Sequence, residues 1–428
     1  MIRGIIMSLE IPRKAQVDIV YVPKGQSQRT PSIMADYQES FSYVDAATGE
    51  SDTISLKVCN KDLRWANLWM PNKGDKLEAV IRVFNWEGVG KDKNFICGKF
   101  CCDDLSYSGP TLVCTINGVS VPEGQAFRCT ERSYTWENVS VKEIAQRIAG
   151  RYNLSLYYDA KIINIASAEQ SGETDCSFLN KICEEYGLYI KIYYGRIIIY
   201  DIDTYENKPA VETYHINDFE AWSYNTTLTG TYTGATIKYT NGDEDEELTL
   251  TVGSGERNLN INEKVDNLAD AQLKACAMVN KENRSAVTMT ATIMANPKIV
   301  SGVCIELSGA YNLNGKFFVD KVTHNIEADG DYTMELEMHK VQSKIKAVTT
   351  YSALKSEVQP ETLAVGDKVI VNGNAYYAGN GGRYNVCKNM TMYITQILGS
   401  GYKYQYGVAK RQGGTRYGWC EKGSLTKA

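Results

Sequence analysis

The sequence predicts a mainly β protein with one small α/β unit near its middle, and three observations predict it. Runs of β-branched and aromatic residues recur at short intervals through residues 17–116 and 236–338, several of them alternating as half-buried strands do. Between these stretches, from about 136 to 205, the apolar period lengthens to that of a helix. At 428 residues the chain is also too long for a single core; roughly 100–200 residues per domain predicts several.

In the first region the expected strands are Val17–Val22, Ser40–Val44, Thr53–Val58, Leu77–Phe84 and Thr111–Ile116. Turn chemistry separates them at Pro23–Gly25, Ala46–Gly49, Pro71–Gly74, Ser108–Pro110 and Asn117–Gly118. Many short strands at this spacing predict a barrel or a sandwich. Next, Val141, Ile144, Ala145, Ile148, Ala149 and Tyr152 share one helical face. Ser140 and Glu143 have the spacing of a capping box, with Val139 and Ile144 in the staple positions around it. A second helix is expected from about Cys176 to Tyr186, stopped by Gly187 in a left-handed conformation. Leu188–Tyr193 and Arg196–Asp201 then read as a hairpin turning near Tyr194–Gly195.

From about 211 to 345 β-structure resumes in Thr236–Thr240, Leu248–Val252, Val287–Ile293, Val303–Leu307, Lys316–Thr323 and Tyr332–Met338. One Ala-rich helix, about Asn267 to Asn283, interrupts it, and the like-charge run Asp243–Glu247 reads as a solvated turn. The polar stretch Gln342–Leu363 reads as a linker, and the last 65 or so residues as Gly- and Tyr-rich short strands of a small barrel.

Composition excludes several classes. A hydrophobic content of 43%, a charged content of 23% and nine prolines suit a folded chain rather than a disordered one. No run approaches the roughly 18 apolar residues of a membrane span. The apolar stretch within Met1–Glu10 is too short for a signal peptide, so classical secretion is not expected. Net charge is −5, but residues 363–428 carry +7, which leaves −12 on the remainder. A basic appendage on an acidic body is expected, and the acidic body argues against non-specific DNA binding. Twelve cysteines in a chain without a leader read as reduced thiols. Cys97–Cys102 lacks CxxC spacing, so it reads as a piece of strand and no metal site is expected.

Several segments together resemble the phage late control D, or tail-hub, family. They are Lys73–Ala79, Asn85–Trp86, Cys97–Phe100, Tyr107–Pro110, Trp136–Ala145, Ser177–Glu185, Asn296–Pro297, Ser301–Gly302, Leu313–His324 and Tyr332–Leu336. Their order and spacing carry the resemblance, which covers roughly residues 10–340 and points to contractile tails of phages or phage-tail-like bacteriocins of Gram-positive bacteria. It implies two tail-tube-like β-barrel domains, residues 1–135 and 211–345, with an α/β domain over 136–210 between them. It also implies a homotrimer whose six pseudo-equivalent barrels adapt a hexameric tail tube to a trimeric spike and surround the lumen. The partners implied are the tube protein, the spike or tail-tip protein, baseplate wedge proteins and the tape measure protein. The product would be made in the bacterial cytoplasm and assembled into the baseplate of an extracellular particle. An acidic lumen would let DNA pass without sticking.

After a linker over 346–362, residues 363–428 resemble a bacterial SH3-like module of the kind attached to cell-wall amidases, in Val365–Gly373, Ala375–Tyr377, Tyr404–Gly407 and Gly418–Leu425. The resemblance implies contact with peptidoglycan or anionic wall polymers through Tyr376, Tyr377, Tyr404, Tyr406, Tyr417 and Trp419. The same aromatics equally suit the core of a tiny barrel, and both readings stand at this point.

Catalysis is not expected. Cys387 and Cys420 have no histidine after His339 to serve as base, and no HExxH, GxSxG, Walker or Rossmann signature occurs. Gly253–Gly255 lacks the third glycine of a dinucleotide loop, and His324 reads as a hydrogen-bonded structural histidine. No cofactor is expected. The alternative function is a wall-binding accessory of a peptidoglycan hydrolase, with the β body as carrier.

Overall fold

Alternating apolar residues build the first third of the chain. The computed structural model describes residues 13–23, 34–120, 126–241, 246–263, 265, 267–346 and 363–427, and the chain divides into two units, Met1–Ala347 and Val348–Ala428. The first unit opens with β1 (Lys14–Val22), β2 (Gln38–Ala46), β3 (Thr53–Cys59), β4 (Lys76–Phe84), β5 (Lys93–Ser108) and β6 (Val113–Val119). Along β4, Leu77, Ala79, Ile81 and Val83 are buried while Lys76, Glu78 and Arg82 stay at the surface. Cys97–Cys102 belongs to the 16-residue β5, with Cys97 and Cys102 buried.

The Asn117–Gly118 turn expected from sequence is corrected here, because both residues lie inside β6. Gly118 pairs with Ile54 of β3 on one side and Cys102 of β5 on the other. A Cβ there would meet Ile54 at 3.0 Å and Phe100 at 3.1 Å. The glycine lets side chains close over the strand; it does not reverse the chain.

The middle of the unit holds α1 (Ala126–Cys129), β7 (Glu131–Ser140), α2 (Val141–Arg151), β8 (Ser155–Asp159), β9 (Asn164–Thr174), α3 (Asp175–Glu185), β10 (Leu188–Tyr193), β11 (Arg196–Asp201) and α4 (Ile202–Glu206). The capping box of α2 is complete: the Glu143 amide donates to Ser140 Oγ at 3.2 Å, and the Ser140 amide donates to the Glu143 carboxylate at 2.8 Å. The helix buries Val141, Ile144, Ala145, Ile148 and Ala149, and Val139 is buried beside them. After α3, Gly187 takes φ +69°, and a Cβ on it would stand 3.3 Å from Ala277. β10 and β11 form the expected hairpin around Tyr194–Gly195, and β8 adds in parallel to β11. β7 and β9 make a separate two-stranded ribbon. Helices and strands share a core that includes Trp136, Phe178, Leu179, Ile190 and Ile197.

The chain continues through β12 (Glu212–His215), β13 (Ala221–Thr226), β14 (Gly234–Asn241), β15 (Glu246–Gly253), β16 (Asn258–Ile261), α5 (Leu268–Arg284), β17 (Val287–Met294), β18 (Cys304–Ser308), β19 (Gly315–Glu327) and β20 (Tyr332–Lys340). Two sheets divide these strands. β15, β14 and β16 pair in that order, and α5 covers them with Ala271, Ala275 and Val279, one face at a spacing of four. The remaining strands join the first region in one twelve-stranded sheet, ordered β1-β4-β5-β6-β3-β2-β19-β20-β17-β13, with β18 branching from β19 and β12 from β18. The seam is β2 against β19, where Phe41 opposes Ile326, Tyr43 opposes His324 and Asp45 opposes Val322. One core therefore runs from Ala15 to Met338 across both sequence regions.

The second unit contains β21 (Lys368–Ala378), β22 (Gly381–Ile397), β23 (Tyr406–Ala409), β24 (Gly418–Cys420) and β25 (Leu425–Lys427). β21 pairs with β22, β22 with β23, β23 with β24 and β24 with β21, so the circuit closes. Val369, Val371, Ala375, Cys387, Met392, Ile394, Val408 and Cys420 fill it. The Pro23–Gly25 turn beyond Pro23, the acidic run up to residue 245 and the linker from residue 347 lie outside the described residues.

Replacing Ser140 with Ala removes the acceptor of the α2 cap. We expect a loss of about 1 kcal/mol, read as a lower midpoint in urea with unchanged slope.

Candidate functional site

Polar and aromatic groups gather at three places, two of them in the first unit. A cleft of about 540 Å³ opens among β2, β5, β10, β11 and residues 300–303, with Tyr43, Phe95, Ile96, Tyr193, Tyr200 and Tyr205 in its walls. Asp45 and Lys191 also line it. The Lys191 ammonium donates to Asp45, to the Ala46 carbonyl at 2.9 Å and to Ser301 Oγ at 3.1 Å, and stands 3.1 Å from Asp52. Asp45 accepts further bonds from the Ser301 amide and hydroxyl, each 2.8 Å. Asp52 accepts from the Ala46 amide at 3.2 Å and the Tyr43 hydroxyl at 3.1 Å. Burial alone would raise both carboxyls. For Asp45 the ammonium and Ser301 outweigh burial and hold it below its ordinary value, whereas Asp52 is left raised to about 6. The other tyrosines also spend their hydroxyls internally: Tyr193 donates to the Ile96 carbonyl at 2.7 Å, Tyr200 to the Ala47 carbonyl at 3.1 Å and Tyr205 to Asp159 at 2.9 Å. The hydroxyls of Tyr43, Tyr193, Tyr200 and Tyr205 are thus all engaged within the unit, and Tyr43 and Tyr200 are themselves buried.

The second place is a buried charge cluster around His339 on β20. Its ring nitrogens lie 2.7 Å from Asp320 and 2.9 Å from Glu206. Arg284 donates to Glu206 at 2.7 Å and to Asp203 at 2.8 Å, and Lys344 reaches both carboxylates. Burial would lower the imidazole, but the two carboxylates outweigh it and hold His339 up at about 9. Burial would raise Glu206, yet His339, Arg284 and Lys344 bring it down to about 2. These groups clamp α4 and α5 onto the large sheet. His324 is a different case: its Nδ1 hydrogen-bonds the Tyr332 hydroxyl at 2.6 Å, and burial pushes it down to about 4, so it is neutral.

The six aromatics singled out in the second unit do not share one surface. Trp419, 5% exposed, and Tyr404 are buried. Tyr406 and Tyr417 pack against the core. Tyr376 stacks on Tyr404, ring centroids 3.9 Å apart, and also touches Tyr384 at 5.3 Å. Tyr377 is 61% exposed and bonds Asn385. Three rings carry cations: Lys403 at 5.5 Å from Tyr404, Lys410 at 4.7 Å from Tyr417 and Arg416 at 4.4 Å from Trp419. Of the six, Tyr377 alone is exposed; Tyr376 is half-buried and lies against the exposed Tyr384. Tyr384, which pairs with Tyr376 across β21 and β22, is not among the residues singled out from the sequence. The cleft residues of the first unit carry no local signal, since they come from four separate stretches of chain.

A family described as YQBQ-like matches residues 215–339. The chain is 25% identical over 223 residues to the probable baseplate hub protein of Escherichia phage 186, covering 50% of this chain and 54% of that protein. It is 24% identical over 217 residues to the probable baseplate hub protein of Escherichia phage P2, covering 48% and 52%. The chain thus aligns with about half the length of these curated relatives. It shares a fold with the tail protein from Neisseria meningitidis MC58, with a TM-score of 0.57, 14% identity and coverage of 77% of this chain and 96% of that one.

Two outcomes follow from the charge clusters. Lys191→Met leaves Asp45 and Asp52 buried without their cation and is expected to cost about 3–5 kcal/mol, measured by urea unfolding. His339, raised in the folded state, contributes stability that is complete below its unfolded value near 6.5 and lost as pH rises through about 9. Glu206, lowered in the folded state, contributes stability present above its unfolded value of 4.5 and lost as pH falls through about 2. Melting temperature should fall between neutral pH and pH ~10, and His339→Gln should remove that part of the slope.

Proposed function

We propose that this chain is a structural baseplate hub protein of a contractile phage tail or a phage-tail-like bacteriocin. The observation that carries the reading is the similarity to the probable baseplate hub proteins of phages 186 and P2. The twelve-stranded sheet supports it, because the β2–β19 seam joins strands from residues 14–119 to strands from 212–226 and 287–340 in one sheet. In this reading residues 1–135 and 211–345 are two tube-like barrel domains flanking an α/β domain over 136–210. Three copies form a ring of six barrels, stack on the hexameric tube, receive a trimeric spike and surround the lumen. Wedge and tape measure proteins would be the further neighbours. The work is done by surfaces rather than by bond-breaking, and the particle acts outside the bacterium that made it.

Residues 363–428 form an SH3-like module in the same reading, touching the cell wall through Tyr376 and Tyr377, with Tyr404, Tyr406, Tyr417 and Trp419 supporting them from within. The +7 charge of this segment suits the anionic wall polymers of a Gram-positive host.

Solution mass tests the hub reading. Light scattering over a concentration series should find a species three times 47.7 kDa, about 143 kDa; a chain that is monomeric at every concentration counts against the ring. Retention on purified cell walls tests the module, and removal of residues 363–428 should abolish it. Equal retention without the segment would end the wall-contact reading, and lysis in a zymogram would favour the hydrolase accessory.

A further inference from the structure

The closed circuit of the second unit carries one continuous row of residues around its outside. Gln396 of β22 lies opposite Gly407 of β23, Gly407 opposite Trp419 of β24, Trp419 opposite Tyr376 of β21, and Tyr376 opposite Tyr384 of β22. Directly opposed residues share one face of a sheet. Because Ala375, Val408 and Cys420 point into the core, their neighbours in this row point away from it. At strand spacings of about 4.8 Å, Gly407 to Tyr384 spans roughly 14 Å, which suits a length of polymer better than a single small ion.

Arg416 lies across the row at Gly407. Its guanidinium stands 4.4 Å from the Trp419 ring and donates to Gln396 Oε1 at 3.3 Å. The seat requires a glycine, since a Cβ at position 407 would meet Arg416 Cδ at 3.1 Å and Trp419 at 3.2 Å. Arg416 is nonetheless exposed, and among the described residues no carboxylate pairs with it. An indole and an amide therefore hold the guanidinium in place, and most of its N–H donors stay open to a ligand.

Lys403 adds a second charge, 5.5 Å from Tyr404, whose ring stacks on Tyr376. Residues 363–428 hold nine Lys/Arg, and among the described residues only Lys427 is in an ion pair, with Asp367 at 3.2 Å. Glu421, the remaining carboxylate, lies near Tyr376 together with Lys403. Past Trp419 the row ends in the half-buried Tyr376 and the exposed Tyr384, with Val386, 60% exposed, on the same face.

We propose that Arg416 and Lys403 form an anion seat that takes the phosphodiesters of an anionic wall polymer, while the carbon between its phosphates lies against Tyr376 and Tyr384. A planar guanidinium matches two phosphate oxygens at once, and the ammonium serves as a point charge beside it. Nucleic acid shares this charge, but the net −5 of the chain counts against it. The inference rests on the wall-contact reading and narrows it to one polymer class and two cations.

The test measures retention of the full chain on purified Gram-positive walls, and on the same walls after cold hydrofluoric acid, which cleaves phosphodiesters and leaves glycan and peptide. Retention should be lost on the stripped walls, and soluble poly(glycerol phosphate) should compete for binding to the intact ones. Arg416→Gln and Lys403→Gln alter exposed side chains, with folding checked by circular dichroism, and each should weaken binding by about tenfold or more. Lys368→Gln removes the same charge at the far end of β21 and should stay within about twofold of the unaltered chain. Equal retention on stripped walls, equal weakening by all three variants, or a DNA oligomer that competes as well as the polymer overturns the inference and leaves wall contact standing. No retention on either wall overturns both.

Discussion

The structure of the first unit depends on one buried ion pair. Lys191 of β10 donates to Asp45 at the end of β2, and the same knot draws in Asp52 before β3 and Ser301 from the loop ahead of β18. A pair taken out of water repays its desolvation only when its remaining donors and acceptors are satisfied. Here they are, through the Ala46 carbonyl and amide, the Ser301 amide and hydroxyl, and the Tyr43 hydroxyl. The knot fixes where the α/β elements sit on the sheet. Bonds between backbone and side chain extend it: the Ile190 amide donates to Thr48 Oγ1, and the Tyr200 hydroxyl donates to the Ala47 carbonyl.

That constraint also explains the character of the surfaces. Because β10 and β11 are held over the β2 end of the sheet, their tyrosines and those of the sheet meet across a cleft with their polar ends turned inward. A second knot, His339 with Glu206, Asp320 and Arg284, does the same for α4 and α5. Charge is spent on rigidity inside, and aromatic and aliphatic carbon is left at the boundary. Strand pairing across β2 and β19 joins the two sequence regions in one sheet.

Local order was legible in the sequence because it is local. The α2 cap needs only Ser140 and Glu143, three residues apart, and the Tyr194–Gly195 hairpin needs only its own flanks. Most strands announced themselves by alternation. Gly118 misled because an Asn-Gly pair is a turn signal by propensity, while its role here is to admit Ile54 and Phe100 from other strands. β14–β16 looked like the neighbouring strands, and only the Ala-rich face of α5 drew them into a sheet of their own. Tyr377 departs from its neighbours because the pairing of β21 with β22 shifts between Tyr376 and Ala378. A bulge of that kind re-aims a side chain without leaving a mark in composition.

The sequence by itself determined the mainly β class, the capped start of the helix after Ser140 and a second helix near 176–186, and the unequal charge of body and C-terminal segment. These follow from period, capping and counting, which act over a few residues or over none. Tertiary structure alone decided that two distant β regions share one sheet, that Lys191 finds Asp45 across 146 positions of chain, and which aromatics face outward. Each of those is a contact between segments whose encounter no local preference specifies, and a strand's outer face reads the same whether water or another strand lies against it.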